Sequence, residues 1–552
     1  MGYIHNKLNK KSGIIFSIIS GIAVLMIIGY AFFSNEADKK VPFKYTVKIA
    51  LPYNEYIQDL DTNYYKLWLE ENASINILFE FIPGQYKNEY LRLLFAAERS
   101  DIDAIFFPPG DKNDITRDTI AEYGRKGYIL PLEQYIDSQG ENITLLFESY
   151  EAYNLRKLMT VAKGHIYDMP NMEPSKIQNN AQILWINVNW LKALELSVPR
   201  TTAEFHEVLK AFRERDPNKN GRQDEIPLAS CQEEYALQSY NFIINGFVYN
   251  DPDNSRMYLN EGEVLFAPVT DAWREAAEFC QLLYDEALFP DINFSCTKSQ
   301  MVQLVNDPRD LVGAFTSRKI SDVILQNSPE VLARYIHVPP IEGRTGIRFS
   351  TVRTPLPGVG AVILSDCQNP EVVFRLLDMM LSEEASLIGR FGQRGTDWDY
   401  GKVGGISMYG TPATIHAKNQ SAYQVENRHF MGFGPSAIDA KYLDGVTWTG
   451  FQYDQEYITA RAAVSYQRFT PEEYIDTIHF EGAEIDYLQN LRQTIENYTD
   501  STLIRFVTGE KDIHDDEQWQ AFIEGYQGLG LEEYIQSVSR AYHALEWKAL
   551  KR

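Results

Sequence analysis

Apolar and polar positions alternate or recur in a way that divides the chain after residue 40 into successive strands and helices. Tyr45–Leu51 alternates and is rich in β-branched side chains, which predicts a strand, and Ile75–Phe81 predicts a second one. Helical spacing of apolar residues predicts helices over Tyr64–Glu71 and Leu91–Ala97, and the apolar run Ala104–Phe107 predicts a third strand. Strands that alternate with helices indicate an α/β fold with a mainly parallel sheet.

A second series of strands and helices follows further along the chain. Ile183–Asn187 predicts a strand, and Thr201 and Glu204 have the spacing of a capping box that starts a helix. Asn369 and Pro370 predict another helix start, with Asn as the N-cap and Pro in the first turn. The apolar stripes of these two helices predict one buried face each: Phe205, Val208, Leu209 and Phe212 in the first, Val373, Leu376, Leu377 and Met380 in the second.

The N-terminal part of the chain contains a long apolar segment, Gly13–Phe33. At about 1.5 Å per residue it reaches roughly 31 Å as a helix, which is enough to cross the hydrocarbon core of a bilayer. Lys7, Lys10 and Lys11 precede it, so we expect a cytoplasmic N-terminus and an extracellular remainder. An uncleaved signal anchor is favoured, because the segment is longer than the apolar part of a signal peptide and lacks a small-x-small cleavage site; a cleaved signal remains the alternative.

Length and charge narrow the class of protein. A chain of 552 residues needs at least two domains, because single cores stop growing at roughly 250–300 residues. The net charge is −24, and the three lysines before the apolar segment leave the rest of the chain more negative still. Nucleic-acid binding needs clustered basic surface, so the charge argues against nucleic acid as the partner. The four cysteines form no CxxC pair, which excludes a cysteine zinc cluster and leaves disulfides open.

One segment has the spacing of a calcium-binding loop. Residues 216–225 read DPNKNGRQDE, with oxygen-bearing side chains at alternate positions and a glycine at the sixth. Calcium takes six to eight oxygen ligands, and a loop that turns around the ion supplies them from every second residue. Because Pro227 occupies the place of the usual twelfth-position glutamate, we expect an EF-hand-like loop with a structural role. Its predicted ligands are Asp216, Asn218, Asn220, the Arg222 carbonyl, Asp224 and Glu225.

Around this loop the chain resembles a known family, the extracellular solute-binding proteins of carbohydrate ABC importers, in particular the LipO-like branch related to alginate-oligosaccharide binders. The stretches that carry the resemblance are GHIYDMP (164–170), ILWINVNWLKALEL (183–196) with VPRTTAEFHEVLKAFRERDPNKNGRQDEIPL (198–228), CQNPEVVFRLLDMMLSEEASLIGRFGQRGTDW (367–398) and FVTG (506–509). The family has a lipid-modified cysteine near its N-terminus, whereas the first cysteine here is Cys231, so the apolar segment would replace the lipid.

The resemblance implies a type II periplasmic-binding-protein-like fold of two α/β lobes joined by hinge strands. We expect residues 1–40 to form the cytoplasmic tip, anchor and spacer. Lobe 1 is expected over 44–165 and about 310–365, and lobe 2 over about 180–309 and 366–552. The resemblance further implies that the protein captures an oligosaccharide between the lobes and delivers it to an ABC transporter permease at the extracellular face of the membrane. The acidic chain favours a neutral sugar.

Sugars offer apolar faces and hydroxyl edges, which aromatic rings and polar side chains bind. In parallel sheets ligands lie beyond the carboxyl ends of strands. By position, the candidate ligand-binding residues are Tyr53, Asp111, Tyr167, Trp185, Trp398 and Trp448, of which Trp185 also fits a core position.

Two other functions are compatible with parts of the sequence. A sensory subunit that presents sugar to a membrane histidine kinase would use the same fold. A glycoside hydrolase needs two flanking carboxyls, for which Asp397 and Asp399 are the candidates. The sequence has no HExxH, GxSxG or Walker motif, so we expect a binding protein and no catalytic residues.

Overall fold

A computed structural model gives the fold of most of the chain. It describes residues 43–54, 57–82, 101–108, 117–150, 155–161, 164–176, 181–325, 328–352, 357–418, 427–448, 455–475, 480 and 485–544. The predicted membrane segment Gly13–Phe33, the predicted helix Leu91–Ala97 and Asp111 lie outside these residues. Across the described ranges, no helix combines the length and apolarity needed to span a bilayer.

The chain divides into two compact units. The first comprises residues 1–46 and 74–76, and in its described part the Asn76 N–H donates to the Tyr45 carbonyl at 2.9 Å. The second unit comprises residues 47–73 and 77–552 and contains both lobes described below.

The strands and helices are numbered in the order in which they occur along the chain. The strands are β1 Thr46–Pro52, β2 Asn76–Ile82, β3 Ala104–Phe106, β4 Met169–Met172, β5 Ile183–Asn187, β6 Ile226–Ala229, β7 Met257–Asn260, β8 Glu263–Phe266, β9 Val312–Ser317, β10 Tyr335–Val338, β11 Gly358–Ile363, β12 Trp398–Tyr400, β13 Ile415–Ala417, β14 Ser436–Ala437 and β15 Val446–Trp448. The helices are α1 Tyr64–Ala73, α2 Arg117–Arg125, α3 Glu133–Gln139, α4 Asn142–Ser149, α5 Leu155–Met159, α6 Val188–Ala193, α7 Thr202–Glu214, α8 Ser239–Ile244, α9 Asp271–Asp285, α10 Lys298–Val305, α11 Pro329–Leu332, α12 Pro370–Met380, α13 Glu383–Phe391, α14 Ala440–Leu443, α15 Gln455–Tyr466, α16 Ile485–Val507, α17 Asp516–Gly525 and α18 Leu531–Ala544.

Most of the predicted elements form within a residue or two of their predicted bounds. Helix α7 begins at the predicted cap, because the Thr201 side chain accepts the Glu204 N–H at 3.1 Å and Glu204 accepts the Arg200 N–H at 2.7 Å. Its stripe Phe205, Val208, Leu209 and Phe212 is buried, as the helical spacing predicted.

Two sheets organise the two lobes. The first has the order β14-β4-β11-β3-β1-β2, and the second has the order β10-β5-β9-β6. In the first sheet β1 and β3 are parallel, and β11 runs antiparallel to both β3 and β4. In the second sheet β5 runs antiparallel to β9 and β10, and β6 is parallel to β9. The carboxyl ends of β1, β3 and β4 therefore share one edge, and those of β6, β9 and β10 share one edge of the other sheet.

The chain crosses between the sheets at these two edges. Residues 173–182 connect the carboxyl end of β4 to the amino end of β5, which lies beside the carboxyl end of β9. Residues 339–357 connect the carboxyl end of β10 to the amino end of β11, which lies beside the carboxyl end of β3. Both connections join one carboxyl edge to the other, so the edges where ligands bind in open α/β sheets lie toward each other.

The pairing of the strands divides the segments between the two sheets differently from the division expected from the sequence. Strands β9 and β10 belong to the second sheet, and only β11 of the predicted segment 310–365 joins the first. Helices α12 and α13 pack with α1 of the first lobe, although residues 366–391 were assigned to the second. Helix α16 packs on α9, which follows the second-sheet strand β6 along the chain. Strand patterns in a sequence show that a strand forms but not which distant strand it pairs with.

A tyrosine hydroxyl ties α15 into the second sheet. Tyr466 is fully buried; its hydroxyl donates to the Val338 carbonyl of β10 and accepts the Leu184 N–H of β5 at 2.9 Å. Burial raises the pKa of this hydroxyl, so it stays protonated and can donate one hydrogen bond while it accepts the other.

We predict that Tyr466→Phe lowers the free energy of unfolding by about 1–3 kcal/mol, because two buried backbone groups lose their partner. Urea denaturation measures the loss, and Tyr487→Phe, which removes an exposed hydroxyl, is the control; equal effects would contradict the prediction.

Candidate functional site

Two exposed aromatic rings lie where β1 and β2 end. Tyr53 directly follows β1, its side chain is 62% exposed, and its N–H donates to the Ile82 carbonyl at 2.9 Å. Phe81, on β2, is 38% exposed, with its ring centroid 5.8 Å from that of Tyr53. Large aromatic rings normally lie inside a protein, so an exposed pair at the carboxyl edge provides a flat apolar surface of the kind that stacks on a ligand.

The segment 430–434 separates this pair of rings from the end of β4. Buried Asn54 donates from Nδ2 to the Phe430 carbonyl at 3.0 Å. From β4, Asn171 donates to the carbonyls of Gly432 and Gly434 at 2.6 and 2.7 Å. A β-carbon at Gly432 would lie 2.6 Å from Glu173 Oε1. Only glycine at position 432 therefore lets this carboxylate come so close to the backbone. Two amide side chains thus fix the segment 430–434, here called the floor, between Tyr53 and Glu173.

Beyond this floor lies a group of four charged side chains, Glu173, Lys319, Arg390 and Glu456, here called the charge quartet. Glu173 follows β4 and Arg390 is on α13, both in the first lobe; Lys319 follows β9 and Glu456 is on α15, both in the second. Arg390 Nε lies 3.7 Å from Glu173 Oε2, and its Nη2 lies 3.7 Å from Glu456 Oε1. The quartet therefore spans both carboxyl edges.

The quartet lies deep in the protein without being closed off from solvent. Burial raises the pKa of Glu173, and the charges of Arg390 and Lys319 oppose that rise. Burial lowers the pKa of Lys319, and the negative charges of Asp322 and Glu456 oppose that fall. The side chains of Glu173, Arg390 and Glu456 nevertheless remain 10%, 13% and 21% exposed. Groups that are desolvated and still reach water are typical of a cleft floor.

Of the predicted ligand-binding residues, the structure places one exposed at the carboxyl edge and buries four. Tyr53 lies exposed at the carboxyl edge, whereas Asp111 falls outside the described residues. Trp185 is completely buried, and its Nε1–H donates to Ser317 Oγ at 2.9 Å. Tyr167 precedes β4, at the edge away from Glu173, and packs within the first-lobe core.

Trp398 and Trp448, which the sequence predicted in open loops, are also buried. Both lie in the small sheet β12-β13-β15, where they are only 2% and 6% exposed. Trp398 donates from Nε1 to the Gly392 carbonyl at 2.8 Å. Glycine-rich sequence indicated loops here, but the two indoles form part of a separate core with Ile415 and Phe391.

Sequence reasoning missed Phe81 and the charge quartet. Phe81 is the last residue of a predicted strand, and its nearness to Tyr53 could have been derived from two parallel strands that end together. Glu173 comes three residues after the GHIYDMP stretch, directly after β4. Lys319, Arg390 and Glu456 carry no signal of their own, because their meeting depends on the packing of both lobes.

The predicted calcium loop forms a tight turn between α7 and β6. Asp216 accepts the N–H groups of Asn220 at 3.1 Å and Gly221 at 3.0 Å, and Asn220 Oδ1 accepts the Arg222 N–H at 2.7 Å. Gly221 has φ +72°, which a residue with a side chain rarely adopts. Asn218 donates from Nδ2 to the Asp310 carbonyl at 3.2 Å, which links the loop to the residues before β9.

Glu225 closes this loop in an unusual environment. Its side chain is buried, and neither carboxylate oxygen has a hydrogen-bond partner among the described residues. Burial raises the pKa of Glu225, and the charges of Asp216 and Asp224 raise it further. Within the described ranges no three His, Cys, Asp or Glu side chains converge on one metal position. An oxygen site that includes amide and backbone carbonyl groups does not need such a cluster, and the unpartnered carboxylate fits a hard cation.

Two α/β lobes with facing carboxyl edges and a polar, aromatic-lined edge define a two-lobed solute-binding protein. In agreement with this architecture, residues 94–386 match the model of the bacterial extracellular solute-binding protein family. The chain belongs to that family, whose members bind solutes outside the cell and are not enzymes.

Two characterised bacterial proteins are similar to this chain in sequence. The chain is 25% identical over 479 residues to the fructooligosaccharide ABC transporter substrate-binding protein FusA of Streptococcus pneumoniae serotype 4 (strain ATCC BAA-334 / TIGR4), covering 81% of this chain and 82% of FusA. It is 30% identical over 103 residues to lipoprotein LipO of Bacillus subtilis (strain 168), covering 19% and 20% of the two chains.

Solved structures share the fold. S. pneumoniae FusA in complex with kestose has a TM-score of 0.71 at 19% identity, with 91% of this chain and 100% of FusA covered. A FusA EF-hand mutant in complex with fructo-nystose has a TM-score of 0.70 at 19% identity and the same coverage. The alginate-binding protein AlgQ2 without calcium ion has a TM-score of 0.64 at 19% identity, covering 91% of this chain and 99% of AlgQ2.

Proposed function

We propose that this protein captures an oligosaccharide between its lobes and delivers it to an ABC transporter permease. The observation that carries the proposal is the exposed ring pair of Tyr53 and Phe81 at the carboxyl edge of the first sheet, which faces the corresponding edge of the second. The similarity to FusA over most of both chains supports a sugar ligand and a transporter partner.

The test is calorimetry of the purified full-length chain against neutral di- to hexasaccharides that include kestose. We predict that at least one sugar binds without being cleaved, and that Tyr53→Ala weakens its binding by about tenfold, or about 1.4 kcal/mol, because one face of the ligand loses its stacking surface. The matched control is Tyr487→Ala, an exposed tyrosine on α16. Turnover of the sugars with no intact binding would overturn the proposal, and equal affinities for wild type and Tyr53→Ala would remove Tyr53 from the site.

We further propose that the 216–225 loop holds a structural calcium ion. The ligands would be Asp216, Asn218, Asn220, the Arg222 carbonyl, Asp224 and Glu225, as the sequence predicted. The orphaned, buried carboxylate of Glu225 supports this assignment, since a cation would satisfy both of its oxygens and offset the repulsion from Asp216 and Asp224.

The proposed location is the extracellular face of the cell membrane, with Gly13–Phe33 as the anchor. The lobes would comprise residues 47–172 with 357–448, and residues 183–338 with 455–544, and the crossing segments between the sheets would act as the hinge. The pairing of the strands supports these proposed bounds.

A further inference from the structure

The two exposed rings at the carboxyl edge of the first sheet are inclined to each other. The planes of Tyr53 and Phe81 meet at 58°, and their ring centroids are 5.8 Å apart. The flat surface that each ring provides therefore points in its own direction. A flat object can lie against one of these two rings, but it cannot lie against both at the same time.

The sheet sets the separation of the two rings. Strands β1 and β2 are neighbours in the first sheet, and the Tyr53 N–H donates to the Ile82 carbonyl, one residue after Phe81, at 2.9 Å. The next residue, Asn54, is buried and donates to the Phe430 carbonyl at 3.0 Å. Both rings are thus attached to backbone that is held on either side by hydrogen bonds, while 62% of Tyr53 and 38% of Phe81 remain exposed for contact with a ligand.

This separation assigns one sugar unit to each ring. A sugar unit stacks on an aromatic ring through the apolar face that its C–H groups form. The 5.8 Å between the ring centroids is about the spacing of successive units in an oligosaccharide. One unit can therefore stack on Tyr53 while the next unit stacks on Phe81, provided that the faces of the two units are inclined as the rings are.

Oligosaccharides differ in this inclination. In cello-oligosaccharides and xylo-oligosaccharides the successive rings lie nearly in one plane, so the chain is an extended ribbon with parallel faces. In malto-oligosaccharides and fructo-oligosaccharides the successive rings are inclined to one another, so the chain bends. A ribbon-shaped sugar can stack on only one of the two aromatic rings, whereas a bent sugar can stack on both.

We infer that Tyr53 and Phe81 bind two successive units of a bent oligosaccharide and select it over ribbon-shaped ones. This inference rests on the proposed function, because it specifies the shape of the sugar that the same ring pair binds. It makes Phe81 a specificity-determining residue, since a single ring would stack on bent and ribbon-shaped sugars alike.

Calorimetry of the full-length chain against the neutral sugars that test the proposed function also tests this inference, when the sugars are sorted by shape. Maltotriose and kestose represent the bent class, and cellotriose and xylotriose represent the ribbon class, each with shorter and longer members of its series. Maltotriose and cellotriose are a matched pair, because both contain only glucose and differ in the configuration of the linkage. We expect the tightest sugar to be bent and every ribbon-shaped sugar to bind at least tenfold more weakly.

Variants separate the contributions of the two rings. Tyr53→Ala and Phe81→Ala should each weaken binding of the tightest bent sugar by about tenfold, because each removes the stacking surface of one unit. A ribbon-shaped sugar occupies only one ring, so it should lose affinity in only one of the two variants. A purely structural role for Phe81 would instead weaken all sugars by the same factor.

Leu78→Ala is the control, because Leu78 is an exposed apolar residue on β2, three positions before Phe81. It should leave the affinity for every sugar unchanged, and melting of each variant without sugar shows that it folds. If wild type binds no sugar at all, the proposed function fails. If a ribbon-shaped sugar binds as tightly as the best bent one, or if Phe81→Ala binds the bent sugar as wild type does, only the inference about the inclined rings fails.

Discussion

Chelation of calcium is expected to lower the melting temperature of this protein by on the order of 10 °C. A ligand present at a thousand times its dissociation constant stabilises the folded state by about 4 kcal/mol. In a lobe of about 150–250 residues, each kcal/mol shifts the melting temperature by roughly 2–4 °C. The loop at 216–225 would transmit this stabilisation to the second lobe, because it connects α7 to β6 and Asn218 bonds to the Asp310 carbonyl.

The measurement is differential scanning calorimetry of the full-length chain with calcium or with EGTA. Glu225→Gln should melt at a lower temperature in calcium and lose most of its response to EGTA, since it removes the carboxylate charge with little change in shape. Glu371→Gln, an exposed carboxylate on α12, should respond to EGTA as wild type does. Melting of wild type at one temperature in both buffers would contradict the assignment of calcium to this loop.

The loop also shows how much a local pattern can predict. The spacing of Asp216, Asn218 and Asn220 predicts a turn around an ion, and the structure has a tight turn here with Gly221 at a positive φ. All of these residues lie within ten positions of one another, so the sequence contains nearly all of the information. The bond from Asn218 to Asp310 is the exception, because it depends on the pairing of β6 with β9.

The candidate ligand-binding edge was predictable only in part. Tyr53 follows from a rule about where strands end, and the rule needs only β1 to be recognised. Trp398 and Trp448 are buried, although the glycine-rich sequence around them predicts open loops, because its short strands enclose a small core. The charge quartet depends on four elements from two lobes, and its members are separated by as many as 283 positions, so no local pattern indicates that they meet.

A similar long-range contact leads to the second large prediction, which concerns Asp378 on α12. Its buried carboxylate accepts the backbone N–H groups of Glu141, Asn142 and Ile143 at 3.1, 3.0 and 2.9 Å, at the start of α4. The Asn142 side chain donates to the same carboxylate at 3.1 Å. The first N–H groups of a helix have no partner within the helix, and a carboxylate there also interacts favourably with the helix dipole.

We predict that Asp378→Ala lowers the free energy of unfolding by about 3 kcal/mol, because three backbone donors lose a charged acceptor in a partly buried site. Urea denaturation of the full-length chain measures the loss, and Arg375→Ala, an exposed change on the same helix, should cost less than about 0.5 kcal/mol. Asp378→Asn should fall between the two, since it keeps one acceptor oxygen and loses the charge. Because the carboxylate of Asp378 bonds to the start of α4, any variant that still folds should bind sugar as wild type does. A variant that folds normally but loses sugar binding would show that this helix start is coupled to the cleft, and it would contradict a purely stabilising role for Asp378.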